Sequence, residues 1–453
     1  MSVFSRVESF LRVFCTSDFP LLLALSGGAD SLCLFYCLLT YRSRYGLPFH
    51  IAHVNHGWRQ ESQAEAQALQ ELAFRHQVPF HLKNLDPSLL EGNLEAACRE
   101  ERYAFFAAIC KQIEFQGVLT GHHQDDQAET IFKRILEGSH WSRWTGLKSE
   151  NWIQGIRVLR PLLGIAKCEI LQTLAQEGLQ AFDDPTNHHL HYLRARLRET
   201  IFPRLNQEFG KQVQKSFIEI GEEVHELVSY FESRLVPLLD QMIQGPWGIH
   251  LDLQNHLPAT LLEIKYLLRL LCARQGFFLS REIINQAAIA LQADKAHQLF
   301  VMGLRHVWID RQRIFIIHLP LIENEHQSQE IQLGGYFLGN WRVEVGEDIY
   351  SSNHQMTSWK EGWQGHLRNY LPLGSYTIGF IKCLNRRAVN IPAVKKRWNQ
   401  AKVPSFLSAY FPLVWAETGI CHEFLTGKPL ASLKEGLPCW RVDLKYFLEK
   451  NES

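Results

Sequence analysis

The sequence predicts an α/β chain: a parallel-sheet domain first, then a helical domain, then a small α+β domain. Three observations carry this. The first ~200 residues alternate short apolar runs with helical patterns, as the strands and crossover helices of a parallel sheet do. The chain beyond is long, polar and helical, and from about residue 296 β-branched and aromatic residues alternate with glycines. A length of 453 residues, at about 100–200 per domain, needs several cores. The boundaries read as 1–215, 216–320 and 321–453.

Each element has its local reason. Residues 20–25 (PLLLAL) are a continuous apolar run ending at a glycine turn, as a strand buried on both faces should be. Residues 49–55, 79–82 and 117–121 read as the next three strands. Helical patterns at 31–41, 61–76 and 94–115 separate them, and another helix begins near Gln124. Residues 205–242 read as one long helix, 261–293 as two helices broken at Gln275-Gly276, and the chain from about Gly365 as a small mixed unit.

Composition removes several function classes. With 46% hydrophobic and 21% charged residues the chain is globular. Lys plus Arg and Asp plus Glu are 47 each, which excludes a uniformly cationic protein but not a local basic patch. The ten cysteines form no Cys-x-x-Cys pair, so a zinc ribbon or redox dithiol is not expected. The N-terminal MSVFSRVESFLRVF mixes charges through a helical pattern, unlike a signal peptide. No apolar run approaches the ~18–20 residues of a membrane span. The expectation is a soluble cytoplasmic protein with no membrane contact.

The sharpest motif is Ser26-Gly27-Gly28-Ala29-Asp30-Ser31, between the first strand and the first crossover helix. Glycines permit a tight turn and close ligand approach, and the helix start offers unpaired N–H groups to an anion. Chemically this is a phosphate cradle, with Asp30 able to hold a cation; the plain alternative is a glycine-rich turn. It is not the P-loop of common ATPases, because Gly-x4-Gly-Lys-Ser/Thr is absent from the sequence. His53-Val54-Asn55-His56-Gly57 ends the second strand, where open α/β sheets bind ligands. In Gly121-His122-His123-Gln124-Asp125-Asp126-Gln127-Ala128-Glu129-Thr130, His122, Asp126 and Glu129 fall at i, i+4, i+7 and would share a helix face suited to a divalent ion or a proton. An N-capped helix start explains the aspartates but not the paired histidines.

Three further groups admit two readings each. Glu95, Arg99 and Arg102 share a helix face, either site-facing or solvated. Asp184-Pro185-Thr186-Asn187 followed by Arg194, Arg196, Arg198 and Arg204 is either a phosphate-clamping comb or a solvated face. Between Phe380 and Pro404 there are seven basic residues (Lys382, Arg386, Arg387, Lys395, Lys396, Arg397, Lys402) and no acidic one. Trp398 lies among them and offers a stacking surface for bases, so this is either a nucleic-acid patch or a solvated loop.

Together these residues are identified with a known family. The SGGADS loop resembles the cradle of the N-type ATP pyrophosphatases (the PP-loop superfamily, with an adenine nucleotide alpha hydrolase-like fold), which split ATP into AMP and pyrophosphate. HVNHG followed by Arg59, GHHQDDQAET, EAACREERY, RPLL at 160–163, DPTN followed by YLRARLR, and the C-terminal KKRWNQAKVPSFLSAYFPLVW resemble the tRNA(Ile)-lysidine synthetase family over essentially the whole chain. That resemblance implies an enzyme that uses ATP to adenylate C2–O of the wobble cytidine, position 34, of an isoleucine tRNA with a CAU anticodon. Free lysine then attacks C2 and AMP leaves, which changes the tRNA from methionine to isoleucine identity.

Residue by residue, the resemblance implies that Ser26, Gly27, Gly28, Ala29, Asp30 and Ser31, with His53, Asn55 and His56, bind ATP. It implies that Asp30, Asp126, Glu129 and Arg194 are catalytic, with Asp30 and Asp126 also holding Mg2+. Arg99, Arg102, His123 and Arg198 would bind substrate, and Lys395, Lys396, Arg397 and Trp398 would grip the tRNA. A homodimer is compatible with it. Ala195 departs from a common Asn and Trp58 from a usual Leu. A sulfur-inserting relative is disfavoured by the absent cysteine pair, and a glutamine-dependent synthetase by the absence of a preceding amidotransferase domain. A catalytically silent tRNA binder is disfavoured by the intact motifs.

Overall fold

The computed structural model describes residues 1–57, 61–86, 94–179, 181, 193–318, 327–383, 391–417, 419, 421–428 and 433–447. Trp58, Arg59, the 184–187 stretch, Arg386 and Arg387 lie outside them. The chain forms two compact units, residues 1–229 and 230–453.

The first unit opens with α1 (Val3–Phe14), which buries Val3, Val7 and Leu11 at i, i+4, i+8 and is capped by Ser2 accepting the Ser5 N–H. The sheet alternates with helices: β1 (Leu21–Ala24), α2 (Ala29–Tyr45), β2 (Phe49–Asn55), α3 (Glu61–Arg75), β3 (Phe80–Asn84), α4 (Leu94–Gln112), β4 (Gly117–Leu119), α5 (Gln124–Leu136), β5 (Glu150–Ile153), β6 (Ile156–Leu159) and α6 (Lys167–Gln176). A short α7 (Leu193–Arg196), a π-turn over Leu197–Ile201, α8 (Phe202–Phe209) and the start of α9 (Val213–Leu239) complete it. The strand order is β3-β2-β1-β4-β6-β5, parallel except for the edge strand β5. Leu21, Leu22 and Leu23 of β1 are fully buried, as a central strand covered on both faces requires. The order reverses at β1, between β2 and β4. That switch point opens a crevice at the strands' carboxyl ends.

Three expectations need correction. The β5–β6 hairpin was not expected: its strands are four residues each, joined by Gln154 (φ 49) and Gly155 (φ 77) in the left-handed pair that tight hairpins use. The single long helix expected over 205–242 is two, because Gly210 (φ 63) ends α8 and Asn206 Oδ1 accepts the Val213 N–H that begins α9. His122 precedes α5, whose N-cap is His123. It therefore does not share a helical face with Asp126 and Glu129.

The second unit holds the rest of α9, β7 (Ile243–Gly245), β8 (Gly248–Asp252), α10 (Leu261–Arg274), α11 (Arg281–Gln292), β9 (Gln298–Met302), β10 (Arg305–Asp310) and β11 (Arg313–His318). The expected helical stretch thus carries its helices and, in addition, an antiparallel sheet of order β7-β8-β11-β10-β9. Beyond it come β12 (Ser328–Glu330), β13 (Gly334–Leu338), β14 (Trp341–Ile349), α12 (Trp359–Trp363), β15 (His366–Pro372), β16 (Thr377–Gly379), α13 (Ile391–Gln400), β17 (Leu413–Trp415), β18 (Cys421–Glu423) and β19 (Pro438–Tyr446). They build two four-stranded sheets, β12-β16-β17-β18 and β13-β14-β19-β15. Trp247, Phe315, Trp341, Trp363 and Phe411 belong to one aromatic-rich core.

Candidate active site

The β1–α2 turn is built to leave polar groups unspent. Gly27 takes φ 90, open to glycine without strain. Gly28 is the N-cap of α2, and no side chain caps the helix, so its first turn is left open to an anion. Ser31 fixes the loop's shape: its Oγ accepts the Ser26 N–H at 3.2 Å and donates to the Gly28 carbonyl at 3.0 Å. A Cβ on Gly121 would lie 3.1 Å from the Ser31 nitrogen and 3.2 Å from Asp30 Cβ. Its absence lets the end of β4 press against the start of α2.

A cavity of about 320 Å³ opens at this switch point. Ser26, Asp30 and Ser31 line it from the cradle, His123 and Asp126 from the β4–α5 junction, and Arg102, Arg194 and Arg198 from α4, α7 and the π-turn. His56 and His122 also face it. His53 and Asn55 do not line it. His53 is buried and its Nδ1 donates to the Leu25 carbonyl at 2.8 Å, holding the end of β1; burial lowers its pKa, partly offset by that bond. Asn55 is buried too, donating to Gln63 and Asn84 and accepting the Gly57 N–H at 3.0 Å. Both shape the cradle from behind. Arg99 is exposed and lies over the Tyr103 ring at 5.1 Å, also outside the lining.

The acidic half is organised by one arginine. Arg198 Nη2 donates to Asp126 Oδ1 at 2.7 Å, and its Nε donates to Glu129 Oε1. Both carboxylates are buried, one turn apart on α5, and of the two only Asp126 lines the cavity. Their proton affinities diverge. Burial opposes ionisation of Asp126, but His123, His122 and Arg198, with the His123 N–H bond of 2.9 Å, outweigh it and hold the carboxyl below its ordinary value. At Glu129 burial dominates, Arg198 offsets only part of it, and the pKa rises. Neighbouring acids pushed apart in this way suit separate charge-holding and proton-accepting roles. His122 is driven down to about 3 by burial and by Arg160, Arg194 and Arg102, against Asp126. It is neutral at working pH, with Nδ1 2.9 Å from Thr120 Oγ1. Burial also lowers Arg102, with Tyr103 opposing and Arg99 and Arg194 reinforcing; it remains a cation in want of an anion.

The two expected metal ligands converge. His123 Nε2 lies 3.8 Å from Asp30 Oδ2 and 3.6 Å from Asp126 Oδ2, and both aspartates line the cavity. Among the described residues no cluster of three or more His, Cys, Asp or Glu could hold an ion by itself. Two carboxylates nevertheless fit Mg2+ delivered on phosphate, since that ion keeps most of its shell as phosphate and water oxygens. Sequence inspection missed Lys167, whose Nζ is 2.6 Å from Asp30 Oδ1, and Arg160, buried at the end of β6. Ala195 is buried in α7, while Arg194 and Arg198 beside it reach the cavity without an amide at 195.

In the C-terminal patch, Lys395 and Lys396 are exposed on α13 and Arg397 is half-buried. Trp398 is a correction. It is buried, its indole N–H donates to Glu423 Oε2 at 3.0 Å, and it packs in the core with Val394 one turn earlier. It offers no surface for base stacking.

Known proteins match this chain along its length. A family model described as a PP-loop domain matches residues 4–205. A tRNA(Ile)-lysidine synthase of Protochlamydia amoebophila (strain UWE25) is 44% identical over 449 residues, 98% of this chain and 97% of that protein. Another of the same name, from Chlamydia muridarum (strain MoPn / Nigg), is 38% identical over 266 residues, 58% of this chain and 82% of that protein. With a cradle, an arginine-clamped acid pair and near full-length identity in agreement, the chain belongs to the tRNA(Ile)-lysidine synthase family.

Proposed function

We propose that this protein ligates free lysine to C2 of the wobble cytidine of a CAU-anticodon isoleucine tRNA, converting ATP to AMP and pyrophosphate. The carrying observation is the meeting, at one switch point, of an uncapped helix start with two buried carboxylates clamped by Arg198, in a chain 44% identical to a tRNA(Ile)-lysidine synthase over 98% of its length.

In the first step the cytidine C2 oxygen attacks the α-phosphorus. The bond to the bridging oxygen breaks, and its electron pair leaves with pyrophosphate. The N–H groups at the start of α2, with Arg102 and Arg194, stabilise the phosphate oxygens as charge builds. Mg2+ carried with ATP would be held by Asp30 and Asp126 and would screen the phosphate charge. In the second step the lysine ε-amine attacks C2, the C2–O bond breaks, and AMP departs with the oxygen. Glu129 takes a proton from the amine, its raised pKa making it the better base of the pair. Asp126 stays ionised and orients the amine, and neutral His122 hydrogen-bonds without adding charge. On this reading residues 1–215 perform catalysis, 216–320 contribute to substrate recognition, and 321–453 bind tRNA through Lys395, Lys396 and Arg397.

The test is incorporation of labelled lysine into purified isoleucine tRNA bearing a CAU anticodon, with and without ATP. ATP-dependent labelling at the wobble cytidine is expected. Pyrophosphate release that ignores tRNA, or AMP formation without lysine transfer, would overturn the assignment.

A further inference from the structure

Lys167 occupies an electrostatically awkward place. It is the first residue of α6, where the helix dipole repels a cation. The acid that would ordinarily answer it, Glu169 in the same turn, is already committed: it accepts the Ala166 N–H at 3.1 Å and pairs with Arg6 at 3.1 Å. Lys167 reaches across to Asp30 instead. The turn that carries it is fixed to the site, since the Gln124 N–H that opens α5 donates to the Ile165 carbonyl at 2.9 Å and Arg6 donates to the Gly164 carbonyl. Asp30 walls the cavity, Lys167 lies just outside its lining on the far side of the ion pair, and both side chains of the pair are partly open to solvent.

We infer that Lys167 is a pyrophosphate-binding residue that waits on Asp30 and transfers to the β- and γ-phosphate oxygens when ATP arrives. This rests on the proposal that the cradle takes ATP. Arg198, the other strongly paired cation at the site, is committed to two carboxylates, whereas Lys167 has one, and that carboxylate belongs to the cradle. Incoming triphosphate offers the ammonium more negative charge than Asp30 does, and the exchange frees Asp30 to face the cation that accompanies the nucleotide. As the bond between the α-phosphorus and the bridging oxygen breaks, the electron pair and negative charge move onto the pyrophosphate held by Lys167. The paired resting state keeps a long side chain ordered, so little entropy is lost when phosphate replaces carboxylate.

The experiment compares Kd values of ATP, pyrophosphate and AMP for the full chain and for Lys167→Gln and Lys167→Arg, by calorimetry with Mg2+ present. Lys167→Gln should weaken ATP and pyrophosphate about tenfold or more and AMP less than about twofold, the size of one lost charge-assisted contact. Lys167→Arg should keep most of the affinity. Unchanged pyrophosphate affinity, an equal loss for AMP, or an arginine variant as weak as the glutamine one would each overturn the inference; the second outcome would make Lys167 a positioning partner of Asp30 alone. Wild-type protein that binds no ATP would instead defeat the underlying functional proposal.

Discussion

The two units bury polar side chains in different ways. In the first, Ser31, His53, Asn55, Thr120, His123, Asp126 and Glu129 are buried and gather at the carboxyl ends of β1, β2 and β4. Their partners leave open groups facing a cavity. In the second, Glu423 shows a different use: it accepts from the Trp398 indole N–H, the Leu425 N–H at 2.8 Å and the Thr426 N–H at 3.1 Å, which satisfies a loop inside a core. Asn369 likewise donates to the Glu423 carbonyl. Buried polarity that closes on itself holds a fold. Buried polarity that gathers around a cavity marks a site.

The sharpest way to test this contrast is to remove one group of each kind. Asp30→Ala should cut turnover by about a thousandfold or more while the melting temperature stays near that of wild type; near-normal turnover would show the convergence to be incidental. Glu423→Ala should do the reverse. Stranding the Trp398 and backbone N–H groups costs roughly 3 kcal/mol of stability, read from urea unfolding, with ATP affinity unchanged. A drop in ATP affinity matching the stability loss would break the distinction.

His250 sharpens it further. This buried imidazole is stacked on Phe315 at 4.6 Å, and burial depresses its pKa from 6.5 to about 4, with Arg313 and Lys360 adding to the effect and Asp252 opposing it. The unfolded chain therefore binds a proton that the folded chain refuses. The stabilisation is complete above about pH 6.5 and is lost as pH falls toward 4, by up to about 3 kcal/mol. His250→Phe should remove that share of the acid sensitivity, seen as a flatter curve of unfolding free energy against pH. An unchanged curve would place the acid sensitivity elsewhere. The smallest effect concerns the exposed patch: neutralising Lys395, Lys396 and Arg397 should weaken tRNA binding by about tenfold and lower the slope of log affinity against log salt by about two to three. Equal affinity at low salt would make α13 a solvated face.

How much of this the chain discloses locally depends on whether partners are neighbours in sequence. The cradle is legible because strand, glycine turn and helix are contiguous. Asp126 and Glu129 are legible because one helical turn aligns them. Lys167 is not, because its meaning comes from Asp30, 137 residues earlier. His122 misled because the helix begins two residues later, at Gln124, which decides whether spacing implies a shared face. Trp398 had its signal in Val394, four residues before it: the pair forms the inward stripe of α13. The basic residues around it drew attention to charge instead of burial.

The open start of α2 has a consequence of its own. A helix whose N-cap is a glycine forgoes only a few tenths of a kcal/mol against a side-chain cap, and this one leaves that demand to be met by whatever anion enters. Binding then repays the fold in proportion to the logarithm of ligand concentration over Kd. Resistance to heat and to proteases is then expected to rise with nucleotide concentration.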